Sequence, residues 1–284
     1  MVCLCGLIGT AFWASSILIA IALVYSYSRI ARYYIQMTGY YLAILTTAFI
    51  CCFYAIPSYF NREGGSRVFS VFRFLSRWMD INVELRNRKK LESDVPYVLI
   101  SNHQSSLDVF AMAHTWPEQC TCMMKDSLKY IPGFNFACVL AHAIFVKRSS
   151  REGGITALKQ CSSVMKEKNL KVWVFPEGTR NREKGMLPFK KGAFNLAVQG
   201  QFPIVPVVIS DYTPFYSKGD KYFKPGGEMI IEVLDPIPTK GLTLDDVPDL
   251  SDQVRAKMLE VYERVTAEAA ERFKKMSGSH LKSD

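Results

Sequence analysis

The chain is 284 residues long, 49% hydrophobic and 21% charged, with a formal net charge of +9. That length holds one large domain or two small ones. The positive charge gathers beside apolar segments and comes with no nucleic-acid-binding motif, which argues against a nucleic-acid partner.

The first elements in chain order are apolar. No charged side chain occurs from Met1 to Ser28, and a second uncharged stretch runs from Tyr33 to Asn61. Within them, Cys5–Val24 and Tyr40–Ile56 are each about long enough to cross a hydrocarbon core of roughly 30 Å. Tyrosines 25, 27, 33, 34, 40, 41, 54 and 59 lie at the ends of these runs, as an aromatic belt would. The pattern predicts a membrane-embedded two-helix hairpin over residues 1–61. A cleaved signal peptide is disfavoured, because no basic residues precede the first run and a second run follows. A buried core hairpin, or a hairpin dipping into one leaflet, fits the same pattern.

Residues 62–94 form a basic segment. Between Arg62 and Lys90, eight basic side chains face three acidic ones, and these outnumber Arg29 and Arg32 between the apolar runs. The positive-inside rule then puts the remainder of the chain in the cytosol. Over Ser66–Asp80, Val68, Val71, Phe72, Leu75, Trp78 and Met79 recur at helical spacing with arginines between them. That is a basic amphipathic helix, lying on an anionic membrane surface or packed on the core.

Beyond it, short apolar runs alternate with helical patterns. Strands are predicted at Ile81–Leu85, Tyr97–Ile100, Thr121–Met124, Ala143–Val146, Val172–Phe175, Val205–Ile209 and Met229–Leu234. Helices are predicted at Ser106–His114, Ile155–Lys168, Gly192–Gln199 and Ser251–Lys275. This is an α/β domain over residues 95–284, with a mostly parallel sheet covered by helices and a C-terminal helix. Lys218–Gly227 reads as an exposed loop. Of the eight cysteines, Cys120 and Cys122 lack zinc-ligand spacing, so buried free thiols are expected and no metal site.

Two turns carry chemistry. Asn102-His103-Gln104-Ser105-Ser106-Leu107-Asp108 follows the strand Tyr97–Ile100 and enters a helix, with Ser105 or Ser106 as its N-cap. A histidine there is held rigidly yet meets solvent, and a carboxylate returning to it makes the imidazole a general base. The plain alternative is a histidine beside a helix start with an aspartate in the first turn. The second turn, Phe175-Pro176-Glu177-Gly178-Thr179-Arg180, follows the strand Val172–Phe175. Gly178 admits close backbone approach, and the Arg180 fork suits phosphate oxygens. If the strands are parallel, both turns meet beyond one edge of the sheet. A metal bound by His103 and Asp108 alone lacks a third ligand in motif spacing.

The order of strand, His-x4-Asp, strand, Glu-Gly-Thr-Arg resembles the glycerophosphate acyltransferase family, and most closely its 1-acylglycerol-3-phosphate (lysophosphatidic acid) acyltransferases. Ala143-Ile144-Phe145-Val146-Lys147-Arg148 is similar to the family's third block, and Pro203-Ile204-Val205-Pro206-Val207-Val208 to its fourth. Where the family usually has a glycine and an acidic residue in the third block, this chain has His142 and Lys147. The resemblance implies transfer of a fatty acyl group from acyl-CoA, as co-substrate, to the sn-2 hydroxyl of lysophosphatidic acid. Phosphatidic acid is the product, and no metal, cofactor or covalent acyl-enzyme is implied. It implies His103 as base and Asp108 as its partner. Glu177, Gly178, Thr179 and Arg180 would form the glycerophosphate-binding block. Arg148 would be a second phosphate ligand, and Lys190 and Lys191 further phosphate or CoA contacts. Membrane lipid as partner and residence in the endoplasmic reticulum are implied as well. Glycerol-3-phosphate or another lysophospholipid as acceptor, a noncatalytic anionic-lipid-binding membrane protein, and a thioesterase remain the alternatives. Backbone N–H groups near Asn102–Ser106 are the expected oxyanion donors.

Overall fold

The computed structural model describes residues 2–54, 64–125, 130, 143–146 and 151–280. Seven strands form the main sheet, in the order β1 (Ile81–Arg86), β9 (Gly227–Val233), β6 (Ile204–Ile209), β2 (Val98–Ser101), β5 (Lys171–Val174), β3 (Cys120–Lys125), β4 (Ile144–Val146). β6, β2, β5, β3 and β4 are mutually parallel, while β9 pairs antiparallel with β6 and parallel with β1. Five strands therefore end at one edge, which is where the two turns begin. The central strands are continuous apolar runs because both of their faces are covered: β2 and β6 are buried at every position.

The pleat sorts side chains into two cores. Leu99, Trp173, Val205, Val207 and Ile209 point to one face, Val98, Ile100, Val172, Ile204 and Val208 to the other. The first face is covered by α2 (Arg29–Tyr54), α3 (Gly64–Leu75) and α4 (Asp108–Thr115), with the small hairpin of β7 (Tyr216–Ser217) and β8 (Tyr222–Phe223). Its second strand, β8, lies within the segment Lys218–Gly227 expected to be loop. The second face is covered by α5 (Arg151–Lys168), α6 (Gly192–Gly200) and α7 (Val247–His280).

The N-terminal segment departs from the expected hairpin. α1 (Val2–Tyr27) and α2 are separated only by Ser28, and the helical bonding continues across it, from Ser28 N to Val24 O and from Arg32 N to Ser28 O. Ser28 Oγ accepts from Ala31 N, and Arg32 donates to the carbonyls of Tyr25 and Ser26 that the break frees. An antiparallel helix pair needs a loop of about two to five residues, so this junction is an elbow. α2 is two-faced. Tyr33, Met37, Tyr40, Ala43, Ala48 and Cys51 are buried, whereas Leu42, Leu45, Phe49 and Phe53 are exposed. Among the described residues, Arg29–Cys51 is long and apolar enough to cross a membrane, and Phe12–Tyr27 is a shorter apolar run.

The amphipathic segment packs one face on the core. Phe72 is buried against the rings of Tyr40 and Phe110, while Phe74 and Trp78 stay exposed. Cys120 and Cys161 are buried free thiols, and Cys51 and Cys122 are buried too.

Candidate active site

β2 ends at Ser101, and the next seven residues wrap into a turn held from three directions. Asn102 is fully buried; its side chain accepts from Ile209 N and donates to Ile209 O, each at 2.9 Å, which pins the turn to the end of β6. The Gln104 amide donates to the carbonyls of Ile209 and Ser210. From the α2 side, the Tyr40 hydroxyl donates to Ser106 O, and the Tyr41 hydroxyl lies 3.2 Å from Ser106 Oγ.

His103 and Asp108 meet. His103 Nδ1 lies 2.5 Å from Asp108 Oδ2. The carboxylate is buried, with 3% side-chain exposure against 20% for the imidazole, so the histidine alone reaches solvent. Asp108 also accepts from Gln104 N at 2.9 Å, from Ser105 N at 3.2 Å and from the Tyr212 hydroxyl at 2.7 Å. A carboxylate with that many donors is compensated for leaving water. The imidazole stacks on Phe175 at 4.0 Å between ring centroids. A hydrogen on Nδ1 has this carboxylate to donate to, and in that tautomer Nε2 is left as the proton acceptor.

The start of α4 is built differently from the sequence expectation. The N-cap position is Leu107, with no side-chain cap of its own. Ser105 Oγ accepts from Leu107 N, and the Asp108 carboxylate takes the amides of Gln104 and Ser105. The expected oxyanion donors are affected too. The N–H groups of His103, Gln104 and Ser105 are already committed to carboxylates.

The second turn follows β5 on the same edge. Gly178 has φ of 69°, where a side chain is strained, and a Cβ there would come within 2.8 Å of the Lys190 side chain. Lys190 therefore lies across this turn. Thr179 and Arg180 are exposed. Glu177 is not: it is 2% exposed, and its two oxygens accept from His103 N at 2.8 Å and Leu187 N at 2.9 Å. Burial pushes its carboxyl up, and the two amides pull it back. Glu177, expected among the substrate contacts, is a strut between the turns. Asn181 N donates to His103 O at 2.7 Å and closes a second link. Lys191, expected near phosphate, instead reaches α7, where its Nζ is 3.2 Å from Asp252 and from Pro248 O. β4 ends at this edge, but Arg148 lies outside the described residues, as do His142 and Lys147.

His114 shows what a histidine without a carboxylate becomes. At the end of α4 its Nδ1 is 2.8 Å from Phe110 O, and burial pushes its pKa down, outweighing that bond. Among the described residues no group of three metal-ligating side chains occurs. Sequence reasoning missed Tyr212, Phe175 as a ring support, and the Asn102 and Gln104 clamps. No spacing signal identifies any of them.

The acyltransferase family pattern matches residues 82–210, which span both turns. The Caenorhabditis elegans protein acl-2, provisionally named a 1-acyl-sn-glycerol-3-phosphate acyltransferase, is 47% identical over 264 residues, 92% of this chain and 94% of its own length. The 1-acyl-sn-glycerol-3-phosphate acyltransferase alpha of Mus musculus is 38% identical, covering 85% of both chains. The beta form of Homo sapiens is 35% identical over 86% of this chain and 88% of its own. The crystal structure of the 1-acyl-sn-glycerophosphate (LPA) acyltransferase PlsC from Thermotoga maritima superposes with a TM-score of 0.60. It is 21% identical and covers 82% of this chain and 97% of that one, which establishes a shared fold. By sequence and by fold, this chain belongs to the 1-acylglycerol-3-phosphate acyltransferases and is an acyltransferase enzyme.

Proposed function

We propose that this enzyme transfers a fatty acyl group from acyl-CoA to the sn-2 hydroxyl of lysophosphatidic acid, giving phosphatidic acid and free CoA. The observation that carries the reading is the 2.5 Å contact between His103 Nδ1 and the buried Asp108 carboxylate. It leaves Nε2 of a partly exposed imidazole free to take the acceptor's hydroxyl proton. The alcohol oxygen attacks the thioester carbon, the C–O bond forms and the C–S bond breaks. The proton held on Nε2 passes to the leaving thiolate. A positioned general base contributes about 10²- to 10⁴-fold. Alignment of the two substrates contributes on the order of 7–11 kcal/mol. The thioester is already activated, so the reading needs no cofactor, metal or acyl-enzyme.

Arg180 holds the acceptor phosphate in this reading, with Thr179 donating a hydroxyl and Lys190 supplying charge across Gly178. Arg148 stays a candidate for the same task. The enzyme works at a membrane, which the exposed apolar face of α2 and the exposed Phe74 and Trp78 support. Residence in the endoplasmic reticulum with the catalytic domain on the cytosolic side follows from the family resemblance and the basic segment after α2.

The test is acyl transfer by the purified enzyme from acyl-CoA to lysophosphatidic acid, glycerol-3-phosphate and lysophosphatidylcholine in parallel. The reading predicts turnover on lysophosphatidic acid far above the other two. Preference for either of the others, or release of free fatty acid without an acceptor, would overturn it.

A further inference from the structure

The Asp108 carboxylate has two sides. Oδ2 faces His103 and takes the amides of Gln104 and Ser105. Oδ1 takes the Tyr212 hydroxyl at 2.7 Å, with only a 3.4 Å contact to Ser105 N beside it. Tyr212 comes from the loop after β6, 104 residues further along the chain, and is 2% exposed.

That loop is anchored without help from Asp108. Asn102 and Gln104 hold Ile209 and Ser210, the last residue of β6 and the one after it. Asp211 N donates to Thr266 Oγ1 on α7 at 3.0 Å. Tyr212 O accepts from Phe215 N and Tyr216 N, closing a turn behind the ring. The hydroxyl is thus delivered to Oδ1 in a fixed place by groups outside the dyad.

We propose that Tyr212 is a positioning residue that locks the Asp108 carboxylate in the orientation serving His103. This rests on the reading of His103 as the base. Two physical effects follow. A carboxylate fixed at Oδ1 cannot rotate Oδ2 away from Nδ1, so the imidazole keeps one tautomer and one direction. A donor on Oδ1 also disperses the negative charge, which moderates how strongly the carboxylate favours imidazolium. Burial and the neighbouring Asp108 push the Tyr212 phenol well up, so it remains a donor throughout the working range.

Tyr212→Phe removes the oxygen and keeps the ring against Phe215. In the detergent-solubilised full chain, kcat with lysophosphatidic acid and acyl-CoA falls about tenfold. KM for lysophosphatidic acid stays within about twofold, because no substrate contact is lost. The acid limb of kcat/KM moves to higher pH, because the undiluted carboxylate holds the proton on His103 more tightly. A ring that only fills space would leave that limb where it was, and the limb's midpoint does not depend on how much of the variant is folded. An unmoved limb with unchanged kcat overturns the proposal. His103→Ala, run beside it, separates the two claims: full activity there removes the base itself, whereas a dead His103→Ala beside an unaltered Tyr212→Phe removes Tyr212 alone.

Discussion

The two turns at the sheet edge are built on opposite plans. The His103–Asp108 turn directs its polar groups inward: Asn102, Gln104 and Asp108 are buried and bonded to strand ends, backbone amides or Tyr212. The Glu177–Arg180 turn directs Thr179 and Arg180 outward and keeps only Glu177 inside. A base must hold one geometry through the reaction, whereas a group that collects a mobile headgroup needs reach. The plans are joined at His103, whose N–H donates to Glu177 Oε1 and whose carbonyl accepts from Asn181 N. In the proposed reading, the turn that binds the acceptor also braces the base.

The largest effect expected is for His103→Ala. Turnover falls on the order of 10²- to 10⁴-fold, while the fold persists because Asp108 keeps its bonds to Gln104 N, Ser105 N and Tyr212. Glu177→Ala tests the link between the turns. It leaves two partly buried amides without acceptors, at a cost of up to about 1–3 kcal/mol for each unpaired group. The thermal midpoint and kcat should fall together. A variant that lost only affinity for lysophosphatidic acid would show the turns to be independent. Arg180→Lys keeps the charge and loses the planar fork, so KM for lysophosphatidic acid rises about tenfold with kcat nearly constant; an unaltered KM would take phosphate away from this arginine.

The smallest effect lies away from both turns. Glu84 and Glu268 bind Arg86 and Arg272 where α7 crosses β1. The hydrogen bond from Arg86 is the main reason that Glu84 is pulled down and that Glu268 is pulled down to about 2. Folded-state values below the unfolded ones mean stability that is present above about pH 4.5 and lost as pH falls towards about 2. Thermal midpoints over that interval should drop for the wild type and drop less for Arg86→Met. Both proteins should transfer acyl groups at the same rate at neutral pH.

Much of this was legible in the sequence. Tyr97–Ile100 and Val172–Phe175 are short apolar runs closed by polar turns, and in a parallel sheet such runs end together. His103, Asp108 and the second turn could be placed on one edge from that alone. Side-chain direction could not. Glu177 looks like any exposed turn glutamate until β5 sets it under His103, and Lys191 differs from Lys190 by one position that turns it toward Asp252. Tyr212 reaches Asp108 only because β6 lies beside β2, and strand order is not written in periodicity. The hairpin expectation meets a related difficulty at Ser28. Hydropathy measures the length of an apolar run, but whether the chain reverses between two runs depends on the residues joining them, and here helical bonding continues across Ser28.

The central claim is that the resting imidazole of His103 carries its proton on Nδ1, toward Asp108, and offers Nε2 to the acceptor alcohol. Nitrogen-15 NMR of the histidine-labelled enzyme, with His103→Ala to assign the signal, measures this directly. Protonated Nδ1 and bare Nε2 at neutral pH, with that preference lost in Asp108→Ala, is the predicted result. Protonated Nε2 in the wild type, or a tautomer indifferent to Asp108, would contradict it.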